Sequence, residues 1–401
     1  MTILFVPSLE CNLRCKYCFA EGYSWVKPIK YDVDAMLEKA DTLFSESRNK
    51  SQNLCVHGGE CTIVDKSVLE KLLKKAFDLT NNSAIQSNAY AIDDELINLF
   101  LKYKTHIGVS IDGDGELNSL RGFPNNPEKT KAYTDKVIEN MLYMKSKGVS
   151  VGLITVLSKA NADSKEKLDK LFNFILRFHK QGISGGRLNP MWSRFEANKK
   201  YELTAEELEF AWLYLYGKFK EHNGLNWQPY REFVDNLLGY GHSSCSMGKC
   251  DYFCTTTRVI TADGSMGNCD RTHQDKTIVL REEEKISMVR YDILRNNDCK
   301  NCRFWDVCYG GCPSEGVDND WRNKTRFCKA IYSLYSAIEF DLKNLLPNLI
   351  LMSEYKDNVD YFDVMHQGSV HDAFEKMSWI TNKRPSSWQY PVPREDVIKK
   401  C

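Results

Sequence analysis

The 401-residue sequence has no apolar run approaching the roughly 20 residues of a membrane-spanning helix. Its N-terminal apolar stretch, Ile3 to Pro7, is too short for a secretory signal and has no basic leader. Net charge is missing too, since 54 basic residues face 54 acidic ones. That balance argues against nucleic acid or an anionic membrane as the main partner. No internal repeat or low-complexity segment is present. Cysteine is absent between Cys61 and Cys245, a gap that separates two regions of different chemistry. What remains is 42% hydrophobic and 27% charged, the composition of a soluble globular chain of two or three domains. Fifteen cysteines are many, yet below the roughly 8–10% of a disulfide scaffold. An odd count without an export signal points to reduced thiolates holding metal in a reducing cytosol, so a cytoplasmic protein is expected.

In the first region short β-rich runs alternate with amphipathic helical stretches. Strands are expected at Ile3–Pro7, Asn53–His57, Ala84–Ser87, His106–Ile111, Val149–Leu157 and Gly185–Leu188. Helices are expected at about Val33–Ser45, Val68–Leu79, Asp93–Tyr103, Glu128–Lys147, Ser164–His179 and Thr204–Glu221. Runs such as Val151, Leu153, Ile154, Val156 suit strands covered on both faces. Six β-then-α units in order imply a parallel sheet with right-handed crossovers. The expected fold class is α/β, with the six units forming an open partial barrel rather than a closed eight-stranded one. Expected domains are residues 1–225, a loop-rich 226–330, and a helix with its tail over 331–401. The loop-rich region has little to build a large core and needs metal as a staple. Ala330, Ile331, Leu334, Tyr335, Ile338, Leu342 and Leu345 then recur at helical spacing, and Pro347 kinks or ends that helix.

Cys11, Cys15 and Cys18 form a C-x3-C-x2-C run directly after the first strand. Three such thiolates can bind three irons of a 4Fe–4S cluster, leaving the fourth iron for an exogenous ligand. A zinc site completed by a distant residue is the plainer alternative. A position at the C-terminal end of a first strand favours an active site, because α/β sites form on that face. With an aromatic residue, Tyr17, before its last cysteine, the run resembles the signature of the radical S-adenosylmethionine (SAM) superfamily. The resemblance implies that SAM binds the open iron through its methionine amino and carboxylate groups. It further implies that one electron cleaves SAM to a 5′-deoxyadenosyl radical, which abstracts a hydrogen atom. Supporting motifs follow successive strands. Gly58 and Gly59 let backbone approach a ligand closely, and Glu60 could accept from the SAM ammonium. Gln86-Ser87-Asn88 is similar to the family's third-strand motif, which makes Asn88 a SAM-site residue. Ser110 and Arg121 resemble a serine and an arginine that contact SAM in related maturases, and Tyr17 and Gly59 resemble further contacts. Read without the resemblance, Ser110 is a turn serine and Arg121 a surface arginine. The chain departs from the family pattern at Cys61, usually proline, and at Ala89, usually glycine.

The second cluster runs Cys254-x9-Gly264-x4-Cys269, then Cys299-x2-Cys302-x5-Cys308-x3-Cys312, then Cys328. C-x2-C also begins zinc ribbons, but seven cysteines exceed one tetrahedral site. The spacing resembles the SPASM domain of radical SAM peptide and protein maturases, which holds two auxiliary 4Fe–4S clusters. Together the likenesses imply a partial (β/α)6 barrel followed by an iron–sulfur SPASM domain and a terminal helix. Carried over, auxiliary cluster I takes Cys254, Cys269 and Cys312 with Cys250 as fourth ligand, Cys245 being the alternative. Auxiliary cluster II takes Cys299, Cys302, Cys308 and Cys328. Asp270 matches the proton-accepting aspartate of anaerobic sulfatase-maturing enzymes, or else is a solvated turn residue beside Arg271. Cys55 and Cys401 read as ordinary thiols, whereas Cys61 sits at the expected active-site mouth.

The expected activity is modification of a ribosomally made peptide by thioether or carbon–carbon crosslinking. The alternative is an anaerobic sulfatase-maturing enzyme oxidising Cys or Ser to formylglycine, or another peptide dehydrogenase or epimerase. A non-catalytic iron–sulfur or zinc protein would give the strand-end motifs no reason to exist. Implied cofactors are SAM and three 4Fe–4S clusters. Implied partners are a peptide or protein substrate and a flavodoxin or ferredoxin-type electron donor. With the cysteine run starting at residue 11, leader recognition is expected to need a separate protein, or the barrel, or the tail after Glu354. Trp379, Trp388 and Tyr390 in that tail are expected to pack onto the chain.

Overall fold

The computed structural model describes residues 2–18, 32–46, 53–193, 195–222, 225–239, 257–267, 269, 271 and 286–354. The chain divides into two compact units, Met1–Leu203 with Thr257–Lys276, and Thr204–Thr256 with Thr277–Cys401. These divisions differ from the expected ones at residues 225 and 330. The second cysteine region contributes to both units, because one of its segments is a strand of the first unit's sheet.

In the first unit β1 (Thr2–Val6), α1 (Val33–Glu46), β2 (Asn53–Val56), α2 (Lys66–Thr80), β3 (Ser83–Ser87), α3 (Asp94–Lys102), β4 (Thr105–Ser110), α4 (Pro127–Ser146), β5 (Ser150–Leu157), α5 (Lys165–His179) and β6 (Gly185–Pro190) follow in sequence. Helix starts are set by side chains. Asp65, Asp93, Asn126 and Ser164 each accept from a backbone N–H of the first turn, which satisfies donors with no partner inside the helix. Strands β1 to β6 pair in chain order and in parallel. Ile107 on β4 stands opposite Ile85 and Val151, and all three are buried. Burying such a side chain contributes about 1.5–3 kcal/mol each.

The segment beside β1 was not expected as a strand. Arg258-Val259-Ile260 lies in β8 (Thr257–Thr261), which pairs in parallel with β1 on the side away from β2. β9 (Met266–Gly267) then returns antiparallel to it. Val259 and Ile260 are fully buried, and β1 supplies the hydrogen bonds that so short a run cannot make alone. The sheet curls. Asn198, beyond β6, donates to the carbonyl of Lys16, beyond β1, at 2.6 Å. Arg271, beyond β9, lies 5.5 Å from the ring of Trp192, beyond β6. Strands far apart in the order thus meet through their loops, as in an open barrel.

The second unit holds α6 (Ala205–Lys220), β7 (Asn226–Gln228), α7 (Tyr230–Leu237), α8 (Ile286–Asn296), α9 (Trp305–Cys308) and α10 (Cys328–Leu345). The last is the helix expected from the 330–345 periodicity. α10 packs on α6 and α7, burying Trp212, Leu215, Leu334, Ile338 and Leu342. Tyr335 stacks on Phe304 and tilts against Phe233. Its hydroxyl accepts from Asn236 at 2.9 Å and donates to the Val307 carbonyl at 3.1 Å. Among the described residues no helix is long and apolar enough to cross a membrane.

α7 also carries Asp235, whose side chain is 21% exposed, with Arg231 Nε 3.6 Å away. Its buried Oδ1 has no hydrogen-bond partner. Burial raises its pKa to about 7, against the pull of Arg231 and with the help of Glu232. The folded protein therefore holds this proton more tightly than the unfolded chain. The group's contribution to stability is complete below about pH 4, the unfolded aspartate value, and is lost as pH rises through 7. Asp235→Asn is expected to be more stable than the parent at pH 8 by on the order of 1–3 kcal/mol, with the advantage gone below about pH 4. Urea unfolding at the two pH values checks this.

Candidate active site

Parallel strands place all their C-terminal ends on one edge, and the expected motifs meet there. The loop carrying Cys11, Cys15 and Cys18 is strapped to the loop after β4. Arg14 N donates to the Gly122 carbonyl at 2.9 Å, and Lys16 N to that of Leu120 at 2.8 Å. Amide groups also point at sulfur: Leu13 N lies 3.4 Å from Cys11 Sγ, and Gly122 N lies 3.4 Å from Cys15 Sγ. Asn88 Nδ2 donates to Asn12 Oδ1 at 2.8 Å and reaches Cys11 Sγ at 3.9 Å. Donors aimed at sulfur favour thiolate over thiol. Burial works the other way, pushing Cys11 up to about 12 and raising Cys15 as well. Such sulfurs lose their protons when a metal takes the proton's place.

Gly58 and Gly59 are needed for a reason the sequence did not suggest. A Cβ on Gly59 would lie 2.1 Å from the Glu10 carbonyl oxygen, and one on Gly58 would lie 2.2 Å from that of Ser8. What approaches these glycines closely is the backbone of the cysteine loop. Gly59 N donates to Ser8 O and Glu60 N to Glu10 O. Glu60 is buried, and its carboxylate accepts from the chain's own donors. Oε1 takes Thr62 N, Thr62 Oγ1 and Ser87 Oγ at 3.0, 2.7 and 2.6 Å, and Oε2 takes Asn88 N at 2.6 Å. Glu60 therefore ties the loop after β2 to the loop after β3.

Arg121 is not a surface residue. Its side chain is buried against that of Asp112. Nε reaches Asp112 Oδ2 at 3.3 Å and Nη2 reaches Oδ1 at 3.4 Å. Tyr17 donates to the same Oδ2, and the Arg121 guanidinium lies 5.3 Å from the Tyr17 ring centre. Val156 N, from β5, donates to Oδ1 at 2.8 Å. Burial alone would lower the Arg121 pKa, but Asp112 and its other neighbours carry it well above the ordinary value. Asp112 thus joins the cysteine loop, the 118–122 turn and β5, and Arg121 acts electrostatically on Cys15. Asp112 is not among the residues expected from the sequence; a carboxylate just beyond an apolar strand, nine residues before an arginine, was the available signal. Ser110 is buried beside it.

The family model described as "Radical SAM superfamily" matches residues 5–172. The chain carries a radical SAM domain. It is similar to the cysteine-type anaerobic sulfatase-maturating enzyme of Clostridium novyi, 25% identical over 84% of this chain and 94% of the relative. It is also similar to the serine-type enzyme of Bacteroides thetaiotaomicron, 24% identical over 82% and 86%. Among solved structures, native anSMEcpe with bound AdoMet superposes with a TM-score of 0.66, at 20% identity, covering 86% of this chain and 99% of the other. Streptococcus suis SuiB bound to S-adenosylmethionine gives 0.54, at 18% identity, covering 81% and 76%. At these identities the structures establish the fold, a partial radical SAM barrel.

Both departures within the radical SAM domain have physical reasons. Ala89 has φ +53° and is fully buried, in the left-handed region that glycine enters without cost. Ser87 Oγ accepts its N–H at 2.9 Å, and Asn140 Nδ2 donates to its carbonyl at 2.9 Å, which hold the turn. Cys61 is buried, and its thiol donates to the Gln86 carbonyl at 3.1 Å. Burial pushes the Cys61 pKa well above the ordinary value, so it is a structural thiol rather than an open one at the mouth of the site. Cys55 is half-buried on β2.

In the second unit, Cys299, Cys302, Cys308 and Cys328 lie within electrostatic range of one another. Burial raises Cys299, to about 11, and raises Cys308 and Cys328 as well. Gly310 and Gly311 leave no space for a side chain: a Cβ would stand 2.4 Å from Leu294 Cδ1 and 2.4 Å from Thr325 Cγ2. Among the described residues no three His, Cys, Asp or Glu side chains converge closely enough to share one ion. A cubane asks for a looser set, each thiolate binding its own corner iron. Cys312 Sγ lies 2.9 Å from Ser314 Oγ, and Cys269 is half-buried in the first unit. Cys245, Cys250, Cys254, Asp270, Cys401 and the tail after Glu354 lie outside the described residues.

Removing Asp112 would strand Arg121 as a buried, unpaired cation. Asp112→Ala is expected to cost about 3–5 kcal/mol, and Tyr17→Phe, which removes one hydrogen bond, about 1 kcal/mol. Urea unfolding of the two variants beside the parent protein gives both values.

Proposed function

We propose that this radical SAM enzyme oxidises a ribosomally made peptide, removing two hydrogens per new thioether or carbon–carbon crosslink. The observation that carries the peptide-modifying class is the likeness to an anaerobic sulfatase-maturating enzyme in sequence and, in fold, to SuiB, which has been solved bound to a precursor peptide. A 4Fe–4S cluster at Cys11, Cys15 and Cys18, with SAM bound, supplies one-electron chemistry and a hydrogen-abstracting radical. The chain supplies everything around it. Leu13 N and Gly122 N orient the thiolates of Cys11 and Cys15. Gly58, Gly59, Glu60 and Asn88 form the wall in which the methionine end of SAM is held. In this reading Glu60 acts chiefly by bracing that wall. Arg121, with two of its nitrogens on Asp112, offers the remaining one to the SAM carboxylate, and Ser110 offers its hydroxyl to the ribose. Tyr17 closes the cysteine loop against Asp112 and helps exclude water.

Auxiliary cluster II is proposed at Cys299, Cys302, Cys308 and Cys328, and auxiliary cluster I at Cys250, Cys254, Cys269 and Cys312. Asp270, directly after Cys269, is the proposed acceptor of a substrate proton, and the remaining substrate electron would pass to an auxiliary cluster. Electrons are proposed to enter from a flavodoxin or ferredoxin. A second reading, formylglycine formation from Cys or Ser, is favoured by the near-complete coverage of the two sulfatase-maturating relatives.

The test is the mass of a candidate peptide encoded beside this gene, after anoxic coexpression. Loss of hydrogen pairs with all sulfur retained, abolished by Cys15→Ala, is the expected result. Loss of a cysteine sulfur, or capture of the product by a hydrazide, would move the assignment to formylglycine formation. An unchanged peptide despite 5′-deoxyadenosine release would reject that peptide as substrate.

A further inference from the structure

Arg290 is an unusual cation. It projects from α8 and is 1% exposed, yet no acidic side chain among the described residues pairs with it. Its guanidinium donates to four backbone carbonyls instead: Trp321 at 2.7 Å, Tyr309 at 2.9 Å, and Gly310 and Asn323 at 3.1 Å each. Tyr309 and Gly310 lie between Cys308 and Cys312, and Trp321 and Asn323 lie just before Cys328. The chain is thus wrapped around a permanent positive charge in the segment that carries its thiolates. Burying a lone cation costs several kcal/mol, and carbonyl dipoles offset only part of that. A net anion close by would offset the rest.

The thiolate set of the proposed auxiliary cluster II fits that need. Arg290 acts electrostatically on Cys299, and Lys324 acts on Cys299 and Cys328. Asp298 opposes them at Cys328. Lys324 is half-buried and more screened by solvent, and at Cys299 Arg290 is the stronger influence. We propose that Arg290 is a positioning residue that serves as the fixed counter-charge of an iron–sulfur cluster on Cys299, Cys302, Cys308 and Cys328. It holds the ligand loops by their carbonyls and makes the cluster easier to reduce. Adding one electron makes a thiolate-ligated cluster more negative, and a buried cation favours that state. The inference rests on the assignment of auxiliary cluster II above.

The test is an anoxic, EPR-monitored redox titration of the reconstituted full chain in which Cys11, Cys15 and Cys18 are replaced by Ala. The signal that disappears on adding Cys302→Ala or Cys308→Ala belongs to the cluster in question. If no signal disappears, the cluster assignment itself fails, and the proposal with it. If one does, Arg290→Gln should lower the equilibrium constant for its one-electron reduction about tenfold or more, 59 mV per decade. Arg290→Lys should leave it within about twofold. An unchanged potential in Arg290→Gln overturns the proposal while leaving the cluster assignment standing. Should Arg290→Gln not fold, Arg290→Met, uncharged and similar in reach, decides: a fall of about tenfold or more supports the proposal, and a potential within about twofold of the parent overturns it.

Discussion

A parallel sheet gathers the ends of its strands along one edge, and the loops that leave them have no ladder to join. In this protein two buried carboxylates meet that constraint. Glu60 gathers donors from the loops after β2 and β3, and Asp112 gathers them from the cysteine loop, the turn at Arg121 and β5. Each carboxylate accepts several bonds, so each stays worth burying only while all its partners are in place. The cysteine run is positioned through them and through the backbone straps to residues 120–122. An accurate site on loops needs such support, because loops alone do not hold sulfurs to a fraction of an ångström.

Buried thiols create a second dependence. Cys11, Cys15, Cys299, Cys308 and Cys328 all resist deprotonation because they are buried. Metal ligation would reverse that cost, and binding would then be coupled to folding. The two units arrange their charge differently. Near Cys15 the cation Arg121 is already paired with Asp112, and the local field is close to balanced. Near Cys299 the cation Arg290 is held by four carbonyls, and no acidic side chain among the described residues pairs with it. A balanced site suits a group whose charge is shared with a bound cofactor, and an unbalanced one suits a permanently anionic group.

Much of the sheet was legible in the sequence because short apolar runs and amphipathic stretches alternated with clear caps. All six expected strands and all six expected helices of the first region appear within a few residues of their expected limits. β8 was not legible. Thr257–Thr261 is a strand only because β1 offers a free edge more than 250 residues earlier in the chain, and no local pattern announces that. α7 escaped for another reason: Arg231, Glu232 and Asn236 are buried on it, and polar residues read as exposed until tertiary partners are known.

The sequence by itself determined the chemistry. Cysteine spacing places three thiolates close together after the first strand, and with the paired glycines and the order of strand-end motifs it resembles the radical SAM domain that residues 5–172 match. Only the tertiary structure decided what the supporting residues do. Gly58 and Gly59 make room for the chain's own backbone, Glu60 braces two loops, and Arg121 sits buried on Asp112. Spacing along the chain reports which residues can be neighbours in a loop. Burial and hydrogen-bond partners arise from contacts between segments far apart in sequence, and those exist only once the sheet has curled and its loops have met.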